Sequence, residues 1–133
     1  MHLAQITETI IGRAYKVYNT LGFGFLESVY EKCLLIELRK AGLAAKSQEP
    51  ITVHYQGEKV GTFVADLVIE GVVIVELKSV TRLIRAHEVQ LVNYLVATGV
   101  DTGLLINFGK EGVQVKRKTR ALDEVSPPCI PIS

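Results

Sequence analysis

The chain has 133 residues, 48% of them hydrophobic and 22% charged, with a formal net charge of +1. That length suits one domain with a core of its own, and the near-neutral balance excludes a globally basic nucleic-acid binder, so any such contact must come from a local patch. No apolar run reaches the ~20 residues of a membrane-spanning helix, and the opening MHLAQITETIIGRAYKV lacks a basic start followed by an apolar core, so no secretory signal is expected. Cys33 and Cys129 make no metal spacing and read as reduced thiols of a cytoplasmic protein.

Ile6, Ile10, Ala14, Val17 and Leu21 recur at spacings of three and four, which predicts an amphipathic helix over 3–21, stopped by Gly22. Arg13 and Lys16 fall on its solvated side. A second helix is expected from about 26 to 41, with Gly42 as its stop. Glu27 lies in its first turn, where the helix dipole favours a carboxylate, and the glycines ahead of it permit close approach to another element. Tyr30, one turn later on the same side, reads equally as core packing or as a partner for a phosphate or carboxylate. From Ala44 the pattern becomes β: a strand near 45–55 and a hairpin at Gln56-Gly57-Glu58-Lys59 leading into the central strands. His54 and His2, with no second ligand at metal spacing, read as surface residues.

Phe63 to Lys78, FVADLVIEGVVIVELK, reads as two apolar strands joined at Glu70-Gly71, yet Asp66, Glu76 and Lys78 interrupt the apolar runs. A charge among buried apolar residues costs several kcal/mol unless it is paired or binds a metal, and such violations tend to mark functional sites. If Glu70-Gly71-Val72 is a three-residue turn with Gly71 at positive φ, Asp66 sits opposite Glu76 and Lys78 points to the same side. Phe63, Ala65, Leu67, Val73, Val75 and Leu77 then line the other side. A two-residue turn would separate the two carboxylates.

After Lys78, Ser79 or Thr81 is expected to cap a helix over about 82–98, whose Leu83, Ala86, Leu91, Val92, Leu95 and Val96 form an apolar face. Gln90 and Tyr94 are four apart, with His87 beside them: a polar stripe that is either a solvated edge or part of a site. Arg82 and Arg85 in the first turn oppose the helix dipole, which points to an anion nearby, either a phosphate or an acidic side chain. Residues 101–107 read as a strand parallel to the one before the helix, followed by a turn over 109–112 and a last strand over 113–116. Lys116, Arg117, Lys118 and Arg120 make the most basic run, either a soluble edge strand or a backbone-binding patch. Residues 1–120 read as one domain and 121–133 as an irregular tail with Pro127, Pro128 and Pro131.

An Asp followed by Glu-x-Lys on the next strand resembles the signature of the PD-(D/E)XK nuclease superfamily, with Ala65 where the superfamily name has Pro. Gly24 to Tyr30 spells GxxExxY and Gln90 to Tyr94 spells QxxxY, as in RecB-like members; together these motifs resemble the GxxExxY family over about residues 5–120. The resemblance implies a restriction-endonuclease-like α/β fold, a mixed central sheet flanked by helices in the order ααβββαββ. It also implies a nuclease whose metal is held by Asp66, Glu76, the Leu77 carbonyl and an acidic residue of the second helix, Glu27. Gln90 and Tyr94 would position Lys78 or the substrate backbone, and Tyr30, Arg82, Arg85, Gln90 and Tyr94 would contact nucleic acid.

Hard oxygen donors without a soft ligand or paired histidines suit Mg²⁺ or Mn²⁺ rather than zinc. Lys78 would orient or help deprotonate the attacking water. The expected substrate is DNA without strong sequence specificity, since so short a chain has no added recognition domain. A catalytically silent nucleic-acid-binding or protein-interaction module on the same fold is the alternative, and a protein partner or homo-oligomer is left open. A structural ion-pair cluster is disfavoured because buried ion pairs are often no better than apolar packing.

Overall fold

The structure, a computed structural model, describes residues 1–120; the tail expected over 121–133 lies outside the described residues. The elements follow as α1 (Leu3–Leu21), α2 (Glu27–Lys40), β1 (Ala45–Tyr55), β2 (Glu58–Ile69), β3 (Val73–Lys78), α3 (Arg85–Thr98), β4 (Thr102–Gly109) and β5 (Gly112–Thr119), in the expected order ααβββαββ. They form one mixed sheet in the order β1-β2-β3-β4-β5. Only β3 and β4 are parallel, joined through α3; the other neighbours are antiparallel.

Sequence pattern explains the layering. Buried Ile6, Ile10, Ala14 and Val17 put one stripe of α1 inward. With Tyr30, Leu34 and Leu38 of α2 they cover one sheet face, packing on Leu67, Ile69, Val73, Val75, Leu77, Leu104, Ile106 and Phe108. The other face carries a smaller cluster of Ile51, Ala65, Ile74, Leu91, Leu95 and Leu105 beneath α3. Strands β3 and β4 are enclosed from both sides, which is why they read as near-continuous apolar runs. Each fully buried Val, Leu or Ile contributes about 1.5–3 kcal/mol, the reserve against which a buried carboxylate is offset. Helix α3 lies so close to β4 that a Cβ on Gly103 would come within 2.8 Å of the Leu91 side chain, so any larger residue there would have to displace Leu91.

The β2–β3 turn gives the predicted register: Ile69 pairs with Val73, Val68 with Ile74 and Leu67 with Val75. Gly71 has the expected positive φ of 70°, but Glu70 shares it at 54°. That strain is held by two bonds to Ala44: the Glu70 N–H donates to its carbonyl at 2.7 Å, and the Glu70 carboxylate accepts from its N–H at 2.6 Å.

Several expectations are corrected. Helix α3 begins at Arg85, not near 82, and Ser79 does not cap it; His87 Nδ1 instead accepts the Ile84 N–H at 3.2 Å. Phe63 and Ala65 join the cluster beneath α3 rather than facing with Leu67. Gln48, with a positive φ of 53°, lies between the pairs Ser47–Leu67 and Glu49–Ala65, so β1 is irregular at the same level. Strand β5 runs on to Thr119, and its basic run is largely tied down. Arg117 donates to the Thr7 hydroxyl at 3.3 Å, Lys118 pairs with Glu88 at 2.6 Å and Arg120 with Asp101 at 2.6 Å. No described helix is long and apolar enough to cross a membrane.

Candidate active site

The ladder between β2 and β3 ends at Leu67–Val75, one pair before Asp66 and Glu76. Beyond it the strands part, and two carboxylates replace the missing backbone bonds. The Leu77 N–H donates to Asp66 Oδ2 at 2.8 Å, and the Asp66 N–H donates to Glu76 Oε2 at 3.0 Å. Each acidic side chain thus satisfies an amide of the opposite strand, which fixes both carboxylates at the fork. Lys78 stands two residues beyond Glu76 on the same side of β3, half-buried, and takes part in none of the ion pairs among the described residues.

Glu76 is only 6% exposed. Burial pushes its carboxyl up to about 8, and the neighbouring Asp66 charge adds to the rise; the Asp66 amide and Lys78 pull it back only in part. The group is therefore a carboxyl that a cation would ionise. Tyr94 reports the same field: burial raises its phenol, with further contributions from Glu76 and Asp66. Its ring is held by stacking on Phe63, with centroids 3.7 Å apart and planes 13° from parallel. Tyr94 is thus brought to the carboxylates, while Gln90, one turn earlier on α3, is exposed.

Two residues that sequence reasoning missed join the fork to α2. Gln48 Nε2 donates to Glu31 Oε1 and Oε2 at 2.9 and 3.1 Å, and reaches Asp66 Oδ1 at 3.5 Å. Burial raises the Glu31 carboxyl, Gln48 lowers it and Asp66 raises it again. The available signal was that Glu31 follows Glu27 by four residues on one helix face; Gln48 carried none, because its positive φ is invisible in sequence. Glu27 itself is exposed in the first turn of α2. Asn107, paired in register with Lys78, was also missed. Fully buried, it accepts the Val80 N–H and donates to the Val80 carbonyl, both at 2.9 Å, so it clamps the chain just after Lys78.

Tyr30 is a correction. It is fully buried, stacked on Phe108 at 4.3 Å, and its hydroxyl donates to the Gly22 carbonyl while accepting the Phe25 N–H at 3.3 Å. That excludes the expected contact with nucleic acid and makes Tyr30 the post that holds the α1–α2 loop. His87, by capping α3, leaves the polar stripe. Arg85 is the first residue of α3 and Arg82 lies in the preceding segment; both are exposed, and neither has an acidic partner among the described ion pairs.

Among the described residues no three His, Cys, Asp or Glu side chains converge closely enough to hold a metal ion. The donors that do meet are the carboxylates of Asp66 and Glu76. That set fits Mg²⁺, which keeps several waters and is commonly bound through one or two carboxylates.

A mixed sheet flanked by helices, with paired carboxylates where its central strands part, is a restriction-endonuclease-like fold. The crystal structure of SSO0001 is similar to it, with a TM-score of 0.58 at 19% identity over 92% of this chain and 61% of that one. This chain therefore spans less than two thirds of that protein's length, and at such identity the likeness speaks to the fold alone. The chain belongs to the PD-(D/E)XK nuclease superfamily, whose family model matches residues 4–119. No curated protein matches.

Proposed function

We propose that the fork is the centre of a metal-dependent nuclease that hydrolyses phosphodiester bonds, with DNA as substrate and without strong sequence specificity. Within the superfamily, the GxxExxY and QxxxY motifs favour the GxxExxY family and the RecB-like subgroup. The observation that carries this reading is the reciprocal seating of Asp66 and Glu76, with Glu76 buried and its carboxyl raised to about 8. A buried acid of that kind is costly unless a cation offsets it.

Asp66, Glu76 and the Leu77 carbonyl would hold Mg²⁺ or Mn²⁺, with Glu27 or Glu31 reaching it through water. Bound there, the ion would neutralise charge on the phosphoryl oxygens and acidify a water. Lys78 would orient that water and counter the charge developing on phosphate. Tyr94 and Gln90 would position Lys78 or the nucleic-acid backbone, and Arg82 and Arg85 would take phosphates. The domain over 1–120 would act in the cytoplasm, alone, with a protein partner or as a homo-oligomer.

The test is cleavage of end-labelled single- and double-stranded DNA with Mg²⁺, Mn²⁺ or EDTA. Wild type should cut only with metal, Lys78→Ala should lose about 10²–10⁴-fold, and Asp66→Ala should fall to background. The second reading, a catalytically silent binding module, is favoured by one observation: no third carboxylate converges with Asp66 and Glu76 among the described residues. A melting temperature unmoved by millimolar Mg²⁺ and Mn²⁺ would decide for it, since a bound ion at 100 times its Kd stabilises by about 2.7 kcal/mol.

A further inference from the structure

The loop between α1 and α2 presents apolar side chains to solvent where a soluble protein would place polar ones. Phe23, Phe25 and Leu26 are 44%, 45% and 75% exposed. Short loops on a surface are ordinarily mobile, but this one is fastened at three points. The Tyr30 hydroxyl holds the Gly22 carbonyl and accepts the Phe25 N–H. The Ser79 hydroxyl donates to the Phe25 carbonyl at 2.9 Å. The Phe25 ring stands edge-on to Tyr30, with centroids 6.1 Å apart and planes at 89°. Ser79 directly follows Lys78, so the loop is bolted to the end of the strand that carries Glu76 and Lys78.

An exposed aromatic ring held on a loop that is bonded to the residue after Lys78 suits one kind of occupant, an unstacked base. Every nucleobase has a face that stacks on an aromatic ring, whatever its identity, and the strand's phosphates then need cations close by. Arg82 and Arg85 supply them on the segment that leaves Ser79, exposed and outside the ion pairs among the described residues. An apolar protein partner would have no use for these charges, and a closed duplex offers no unstacked base.

We propose that Phe25, with Phe23 and Leu26 around it, is a stacking platform that holds an unpaired nucleotide of single-stranded nucleic acid next to the fork. The inference rests on reading the fork as a phosphodiesterase centre and names its substrate class: strands with unpaired bases, rather than closed duplex.

The chain contains no tryptophan, so Phe25→Trp introduces a single fluorescent indole at the platform. Titration in EDTA, where no hydrolysis occurs, should show its emission quenched by single-stranded oligodeoxynucleotides and oligoribonucleotides. A duplex closed by hairpins at both ends should leave it unchanged. In fluorescence anisotropy, Phe25→Ala should weaken binding of the single strands by about tenfold, the scale of one lost base stack, with an unchanged melting temperature as the control for folding. The DNA and RNA arms tell which strand is preferred. Absence of quenching by any single strand, or quenching as strong by the closed duplex, overturns the platform. A protein that cuts with metal but is not quenched keeps the active centre and loses the platform; one that is quenched but never cuts keeps the platform and loses the active centre.

Discussion

The two faces of one sheet handle polar groups in opposite ways. Toward α1 and α2, Val73, Val75 and Leu77 of β3 meet Ile10, Leu34 and Leu38 in a closed apolar core, and its aromatic residue, Tyr30, has both hydroxyl functions absorbed by backbone. Toward α3, the alternate residues of the same strand begin apolar with Ile74 and then turn to Glu76 and Lys78, and the small cluster around Leu91 and Leu95 stops short of them. The two motif tyrosines divide accordingly. Tyr30 stacks on Phe108 deep in one core, whereas Tyr94 stacks on Phe63 within the field of two carboxylates. The difference teaches that in this fold stability is concentrated on one face, which leaves the other free to carry charges that a core would reject.

The sharpest way to break that contrast is to truncate both tyrosines. Tyr30→Ala removes a fully buried ring and two backbone bonds, and should cost about 3–5 kcal/mol in urea unfolding. Tyr94→Ala loses a stack worth about 0.5–1.5 kcal/mol beyond its area burial, so it should cost clearly less while lowering metal-dependent cleavage. Equal stability losses would show that both faces are structural.

A smaller effect sits in the pH dependence of the metal-free protein. The Glu76 carboxyl is raised from 4.5 to about 8 in the fold. Between those values the folded state keeps a proton that the unfolded chain has released, so stability falls as pH rises through that window and levels off above it. The slope is at most about 1.4 kcal/mol per pH unit, one proton's worth. Glu76→Gln should flatten it, read as melting temperature against pH without metal. Metal requires the ionised form, so Mg²⁺ affinity should climb across the same window with release of a proton. A slope that survives in Glu76→Gln would assign the titration elsewhere.

Much of this was legible in the sequence, for reasons that differ along the chain. The order of elements followed from apolar spacing and glycine stops, and the meeting of Asp66 with Glu76 followed from the length of one turn, since strand register is set by its hairpin. Where the reading failed, an irregularity within a strand or a distant partner was involved. Phe63 and Ala65 lie on the other face from Leu67, because the alternation rule assumes an unbroken pleat. Helix α3 begins at Arg85, and Ser79, expected as a cap, bonds instead to Phe25, some fifty residues earlier in the chain. Tyr30 was ambiguous in sequence because a tyrosine on an inward helix face suits packing and recognition alike.

The smallest effect tests how the closed face reaches the charged one. Glu31 belongs to α2, whose other side packs in the apolar core, and the Gln48 amide bridges it to Asp66. If that bridge orients Asp66 Oδ1, Gln48→Ala should weaken Mg²⁺ binding by about tenfold, the low end for a group that supports a metal ligand, with little change in unfolding free energy because Gln48 is exposed. Isothermal titration with Mg²⁺ reads the affinity directly. Comparison of Glu31→Gln with Glu27→Gln then tells which carboxylate of α2 serves the site: the bridge predicts the larger loss for Glu31, since burial and the Asp66 charge already act on it. A larger loss for Glu27 would return the role to the residue that the GxxExxY motif names and leave Gln48 as a spacer in a strained strand.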